Sequence, residues 1–143
     1  MKNIVYRVTT INELHAIAGF EKPKHPLVSV IDYSKVNVVN AIISELWLKN
    51  ATAIQVRAED FHDKFHYVIG RAVTDLGKFM RWVTKNIDQK EIKDPLNGVI
   101  YLKGGDLSDE VKPYQDSRIY NISDFFEEEF FVTKKLIYIP MSH

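Results

Sequence analysis

The strongest constraint on the fold is an alternation along the chain between short β-type runs and longer stretches with helical spacing. Two of the longer stretches, "SKVNVVNAIISELWLKN" at 34–50 and "TDLGKFMRWVTKN" at 74–86, repeat their apolar residues so that these fall on one face of a helix. The faces consist of Val36, Val39, Ile43 and Leu46 in the first stretch and Leu76, Phe79, Met80 and Val83 in the second. Both stretches are therefore predicted to be amphipathic helices.

The runs between them are rich in β-branched and aromatic residues and are predicted to be strands. The predicted strands are "NIVYRV" (3–8), "LVSVID" (27–32), "ATAIQVRA" (51–58), "FHYVIG" (65–70), "NGVIYLKGG" (97–105), "SRIYNIS" (117–123) and "FFVTKKLIYIP" (130–140). A further helix is predicted over "TINELHAIAG" (10–19) and a short one over "LSDEVKPY" (107–114). Strands that alternate with helices indicate an α/β fold, a mostly parallel sheet between two helical layers. No helix separates the last two strands, so we expect them to be an antiparallel closing pair.

Ligands in such a sheet bind beyond the carboxyl ends of the strands. Asp32 and Ala58 end two of the predicted strands, Glu59 and Arg71 directly follow predicted strands, and Lys103 lies near the end of the next one. We expect these residues to lie along one edge.

Composition excludes several classes of function. The chain has 143 residues, the size of one domain, and 19 basic residues balance 19 acidic ones. A strongly basic nucleic-acid-binding domain is therefore excluded, although a local basic face is not. The absence of cysteine excludes disulfides and thiolate chemistry. No apolar run approaches the roughly 20 residues that span a bilayer, so we expect a cytoplasmic protein without membrane contact.

Four stretches resemble the C-terminal half of the RsmG (GidB) family, which transfers a methyl group from S-adenosylmethionine to N7 of a guanine in 16S ribosomal RNA. They are "KVNVVNAIISELWLKNATAIQVRAEDF", "DKFHYVIGRAVTDLGKFMRWV", "NGVIYLKGGDLSDEV" and "DFFEEEFFVTKKLIYI", in the order and spacing of the family. The combination of "GRA" with "IYLKGG" makes the resemblance specific. It implies a Rossmann-like methyltransferase sheet over residues 37–143.

Residues 1–36 do not fit that family, which has a glycine-rich "GxGGGFPG" turn in this region. The run "KPKHPLVSVID" within them resembles the start of the sensor domain of AraC-type transcription regulators, so the sequence is interpreted as a chimera joined near 34–36. We expect this leader to supply a βαβ-like start to a single domain over residues 1–143. The sheet would then be incomplete on its N-terminal side, without the glycine turn that approaches the cofactor.

The resemblance assigns roles to the residues at the carboxyl edge. Arg71, Ala58 and Glu59 match cofactor-binding positions, although Arg71 could instead pair with Asp75, and Glu59 could belong to a solvated loop. Asp32 stands where this superfamily holds the ribose hydroxyls, and the alternative is a residue at a helix N-terminus or a turn aspartate. Lys103 is assigned to RNA phosphate, or else is a surface lysine. No residue stands out as a catalytic base, and a metal site at His62 and His66 is not expected.

The function implied is methyl transfer to guanine N7 in the 16S RNA of the small ribosomal subunit, by a monomer that uses S-adenosylmethionine. Loss of the glycine turn predicts impaired activity. Two alternatives are a ligand-sensing fragment of an AraC-type regulator and a fusion without function. The helical stripes argue against the sensor, which should continue as a β-barrel.

Overall fold

A seven-stranded mixed sheet forms the centre of the molecule. The computed structural model describes residues 3–8, 27–49, 51–71, 73–90 and 96–141. Its strands are β1 (Asn3–Val8), β2 (Leu27–Asp32), β3 (Ala51–Ile54), β4 (Tyr67–Arg71), β5 (Gly98–Gly104), β6 (Arg118–Asn121) and β7 (Lys134–Pro140). The described helices are α1 (Val36–Glu45), α2 (Leu76–Val83) and the short α3 (Ser108–Val111). The helix predicted over residues 10–19 lies outside the described residues.

Five strands run in one direction and two run against them. The strand order is β3-β1-β2-β4-β5-β7-β6. Strands β2, β4 and β5 pair in parallel, while β7 is antiparallel to both β5 and β6. The predicted α/β class, with a mostly parallel sheet and an antiparallel closing pair, is confirmed.

The βαβ-like start is wrong in one respect, the direction of β1. This strand runs antiparallel to both of its neighbours, β2 and β3, so β1 and β2 cannot form a parallel βαβ unit. Relative to the doubly wound order 3-2-1-4-5, the first two strands have exchanged places. An antiparallel pair needs no crossover, and its straight hydrogen bonds are slightly more stable per residue than those of a parallel pair.

Helices cover both faces of the sheet. Val28, Val68 and Val99 are in register on neighbouring strands and belong to the main core, which also contains the buried residues of α2. Ile31 is an odd number of residues from Val28 and so points to the opposite face. There it packs in a smaller cluster with Val36 of α1 and Ala53 of β3. The predicted three layers are therefore present.

The predicted apolar stripe of α2 is confirmed: Leu76, Phe79, Met80 and Val83 are all buried. Asp75 is the N-cap residue before α2, and its side chain accepts a hydrogen bond of 2.8 Å from the backbone N–H of Lys78. This N-cap supports the helix in spite of Gly77, which costs about 1 kcal/mol relative to alanine in a helix interior.

Candidate functional site at the carboxyl edge

The backbone brings the predicted residues to one edge of the sheet. Asp32 is the last residue of β2 and Arg71 the last of β4, and these parallel strands are neighbours. Lys103 is the penultimate residue of β5, the next strand in the sheet. Ala58 and Glu59 begin a 3₁₀ turn that follows β3. This strand runs in the same direction as β2, β4 and β5, so its carboxyl end lies at the same edge.

Close packing around position 70 explains why a glycine precedes Arg71. A Cβ atom at this position would lie 2.4 Å from Cζ of Phe79 and 2.9 Å from Cδ2 of Tyr101. The two rings pack with their centroids 4.8 Å apart directly over the β4 backbone. A glycine is required here because α2 packs closely against the sheet.

Tyr101 holds the turn that follows Arg71. Its hydroxyl donates a hydrogen bond to the carbonyl oxygen of Thr74 and accepts one of 3.2 Å from the backbone N–H of the same residue. Because Tyr101 is fully buried on β5, these bonds join the turn to a rigid part of the sheet.

Arg71 is exposed and does not form the structural pair considered as an alternative. In the described part of the chain, no ion pair joins its guanidinium to Asp75. That carboxylate instead caps α2, and its pKa is lowered mainly by the hydrogen bond from Lys78, with a smaller effect of Arg81. Arg71 is therefore available to a ligand.

Lys103 is held in place by Glu110 of α3. Its Nζ lies 2.5 Å from one carboxylate oxygen of Glu110, whose other oxygen accepts a hydrogen bond of 3.1 Å from the backbone N–H of Leu76. Glu110 thus links the ammonium group on β5 to the beginning of α2.

This network predicts a pH dependence of stability. The pKa of Glu110 is lowered, chiefly by the hydrogen bond from Lys103. A carboxylate with a lowered pKa stabilises the fold above its ordinary pKa, here 4.5, and the contribution is lost as the pH falls through the folded value. We expect the free energy of unfolding to fall more steeply below pH 4.5 in the wild type than in Glu110→Gln, as urea titrations at successive pH values would measure. Parallel curves would contradict this role.

The turn at Ala58 and Glu59 is attached to the end of α2. The Ala58 side chain is buried in the main core, whereas Glu59 is exposed. Lys85 donates a hydrogen bond to the carbonyl oxygen of Glu59, and the Asn86 side chain donates to the carbonyl oxygens of Phe61 and Asp63. These bonds fix the backbone of the turn. The Glu59 carboxylate on this turn faces solvent.

A cavity of about 330 Å³ lies at the same edge, and we call it the edge cavity. It is lined by Arg71, Leu102, Lys103, Gly104, Ile122, Phe130, Phe131, Lys134 and Lys135. Two predicted residues, Arg71 and Lys103, therefore meet at one cavity, while Ala58 and Glu59 do not line it. For Asp32 only the backbone position is described.

Sequence reasoning missed Phe130, Phe131, Lys134 and Lys135, which were predicted only as part of the strand over residues 130–140. The register of β7 with β5 places Lys135 directly opposite Lys103, and Lys134 opposite Gly104. The antiparallel pairing of "IYLKGG" with "VTKKLIYI" brings the lysines of both runs to the same end, and this pairing is set by the tertiary fold rather than by a local sequence pattern.

A larger cavity of about 640 Å³ lies at the opposite edge of the sheet. It is lined in part by Ile139, Pro140 and Met141, and Pro140 pairs with Gly98 at the beginning of β5. In parallel α/β sheets ligands bind at the carboxyl ends of the strands, so the smaller cavity is the better candidate.

The two histidines considered for a metal differ in environment: His66 is buried, while His62 is exposed and its Nδ1 bonds the carbonyl oxygen of Asp60. Among the described residues, no group of three or more potential metal ligands occurs. None of the helices in the described segments has the length and apolar character needed to cross a membrane.

Comparison with known proteins identifies several relatives that share one name. Ribosomal RNA small subunit methyltransferase G of Christiangramia forsetii is 41% identical over 109 residues, 76% of this chain and 52% of the relative. Proteins of the same name from Flavobacterium psychrophilum and Flavobacterium johnsoniae are each 38% identical over 122 residues, 85% of this chain and 58% of the relative. No family model matches the chain.

The comparisons give no support to the AraC-type resemblance of residues 1–36. Residues 37–143 are 107 of the 143 residues, so a match that covers 85% of the chain includes residues before position 37. The similarity therefore continues across the position assigned to a join. The chain spans slightly more than half the length of these curated relatives, and over 76–85% of its own length it is similar to ribosomal RNA small subunit methyltransferase G.

Proposed function

We propose that this chain transfers a methyl group from S-adenosylmethionine to N7 of a guanine in the 16S RNA of the small ribosomal subunit, acting as a cytoplasmic monomer. The observation that carries the proposal is the meeting of Arg71 and Lys103 at one cavity, on the edge where α/β sheets bind ligands. The similarity to three proteins named ribosomal RNA small subunit methyltransferase G supports it.

The polar groups of the edge suit the cofactor. Arg71 can hold a carboxylate through two parallel hydrogen bonds, and it is exposed at the end of β4. The exposed Glu59 carboxylate can accept hydrogen bonds from an adenine amino group, and Asp32 can accept them from ribose hydroxyls. Ala58 would contribute its backbone. Lys103, positioned by Glu110, would contact RNA phosphate.

The turn that follows β2 is the part of this site that is least suited to binding the cofactor. Strand β2, next to β4, leads into a 3₁₀ turn of Tyr33, Ser34 and Lys35, none of which is glycine. Side chains at such a turn keep a ligand away from the backbone, which a glycine-rich turn would allow to approach closely. We therefore expect weak cofactor binding.

The chemistry requires positioning rather than proton transfer. S-adenosylmethionine, when bound, supplies the electrophilic methyl group. Guanine N7 carries a free lone pair, so no base has to remove a proton before attack. The residues at the edge would bind and orient the two reactants, and such positioning can supply about 7–11 kcal/mol of the barrier. A displacement of about 1 Å can reduce the rate roughly 100-fold, which is why the missing glycine turn predicts impaired activity.

The test is methyl transfer to small ribosomal subunits that lack the modification. The chain is incubated with S-adenosylmethionine and the subunits, and nucleosides from the RNA are analysed by mass spectrometry. We expect slow, enzyme-dependent formation of 7-methylguanosine that rises with cofactor concentration up to the millimolar range. The absence of 7-methylguanosine at saturating cofactor, or a methyl group on a different atom, would refute the proposal.

A further inference from the structure

The edge cavity has a strongly positive lining. Its nine lining residues include four cations, Arg71, Lys103, Lys134 and Lys135, and no acidic residue. The whole chain has a formal net charge of zero, so this is a local concentration of positive charge. Glu110 neutralises Lys103 in part, and Asp106 interacts with Lys135 from outside the lining.

The pairing of β5 with β7 places like charges opposite each other. Lys103 and Lys135 are direct cross-strand partners in the antiparallel ladder. Like charges in that position destabilise a sheet, and the carboxylates of Glu110 and Asp106 offset part of this repulsion. A bound anion would reduce the repulsion that remains.

An aromatic wall adjoins the lysines. Phe130 is 60% exposed, an unfavourable environment for a large apolar side chain, and it meets Phe131 edge to face with ring centroids 5.2 Å apart. Lys134 Nζ lies 4.9 Å from the centre of the Phe130 ring. One cavity thus combines ammonium groups with an exposed aromatic ring. That combination suits a nucleotide, because unpaired bases stack on aromatic rings and their phosphates bind cations.

We propose that the edge cavity binds one unpaired nucleotide of an RNA strand, with Phe130 stacked on the base and Lys134, which lies on the same side of the sheet as that ring, on the adjacent phosphate. The identity of the RNA rests on the proposed function, whereas binding of a single strand does not. The volume of about 330 Å³ is at the lower end of the range for small-ligand pockets and suits one nucleotide.

The test uses the full chain and a fluorescently labelled single-stranded RNA, with binding followed by anisotropy. Phe130→Ala should weaken binding roughly 5- to 150-fold, the usual effect of removing one stacking side chain. Phe125→Ala is the matched control, because Phe125 is 72% exposed on the same segment but does not line the cavity. Phe130→Trp, which keeps an aromatic ring at this position, should bind the RNA more tightly than Phe130→Ala. Equal affinity of Phe130→Ala and Phe125→Ala would overturn the proposal, provided that both unfold at the wild-type temperature.

Two further measurements separate stacking from simple attraction between charges. An abasic strand of equal length and charge should bind more weakly than the RNA, and equal binding would overturn the stacking role. Lys134→Ala should reduce the slope of log K against log salt concentration by about 0.7, the value for one single-strand phosphate contact. An unchanged slope would contradict the phosphate role.

This inference and the proposed function can fail separately. Phe130→Ala should leave the affinity for S-adenosylhomocysteine unchanged, since the proposed cofactor contacts do not include Phe130. A chain that binds RNA through Phe130 but forms no 7-methylguanosine would refute the proposed function and support the nucleotide site. Methyl transfer by a chain whose RNA affinity does not depend on Phe130 would support the proposed function and refute the nucleotide site.

Discussion

Gly70→Ala should lower the free energy of unfolding by about 1–3 kcal/mol, the usual effect of overpacking a core. The added methyl group would lie 2.4 Å from Phe79 and 2.9 Å from Tyr101, both of which are fully buried. Neither ring can move without displacing α2 or β5. For a chain of this length the change corresponds to a decrease of roughly 2–12 °C in the melting temperature, measurable by circular dichroism.

Gly77→Ala is the matched control. A Cβ atom at Gly77 would have Asp75 Oδ1 at 3.5 Å and Arg81 at 3.8 Å as its nearest neighbours, which are ordinary contacts. Alanine is preferred to glycine in a helix by about 1 kcal/mol, so this variant should be as stable as the wild type or more stable. If Gly70→Ala were equally well tolerated, the close packing of α2 against β4 would be refuted.

Arg71→Ala should reduce kcat/KM for methyl transfer about 10- to 150-fold, the equivalent of losing charge-assisted hydrogen bonds worth about 1.5–3 kcal/mol. Arg71 is exposed, lines the edge cavity and has no ion pair with Asp75 in the described segments, so its removal should leave the fold intact. Arg71→Lys keeps the charge but loses the planar fork, and should recover only part of the activity. The measurement is steady-state kinetics with S-adenosylmethionine as the varied substrate.

Arg57→Ala serves as the control for surface charge, because Arg57 is also exposed but does not line the edge cavity. Its kcat/KM should stay close to the wild-type value. If both arginine variants lost activity equally, or Arg71→Ala kept full activity, Arg71 would be excluded from the site.

The sequence was sufficient to predict most of the elements, because their residue patterns are local. The stripe from Leu76 to Val83 has helical spacing, and α2 buries those residues. The β-branched runs became strands with ends shifted by a few residues. One of them, β3, stops at Ile54, where its pairing with β1 ends, and the chain turns at Ala58.

The exchange of β1 and β2 in the sheet could not be predicted. A period of two specifies which side chains share a face, but it contains no information on the neighbouring strand or its direction. The connection from Val8 to Leu27 is long enough for either a crossover or a return. The central position of "LVSVID" in the sheet is therefore determined by tertiary contacts and not by the local sequence pattern.

The site was predictable where it depends on strand ends, and not where it depends on register. Arg71 and Lys103 follow from the rule that ligands bind at the carboxyl ends of parallel strands. Lys134, Lys135 and Phe130 join them only through the antiparallel pairing of β7 with β5, which aligns residues about 30 positions apart in the sequence.

The central claim is that the carboxyl edge still holds the cofactor although no glycine follows Asp32. Isothermal titration of the full chain with S-adenosylhomocysteine tests it most directly. We predict saturable one-to-one binding that is weaker in Arg71→Ala and unchanged in Arg57→Ala. A folded chain that releases no heat at millimolar ligand would contradict the claim.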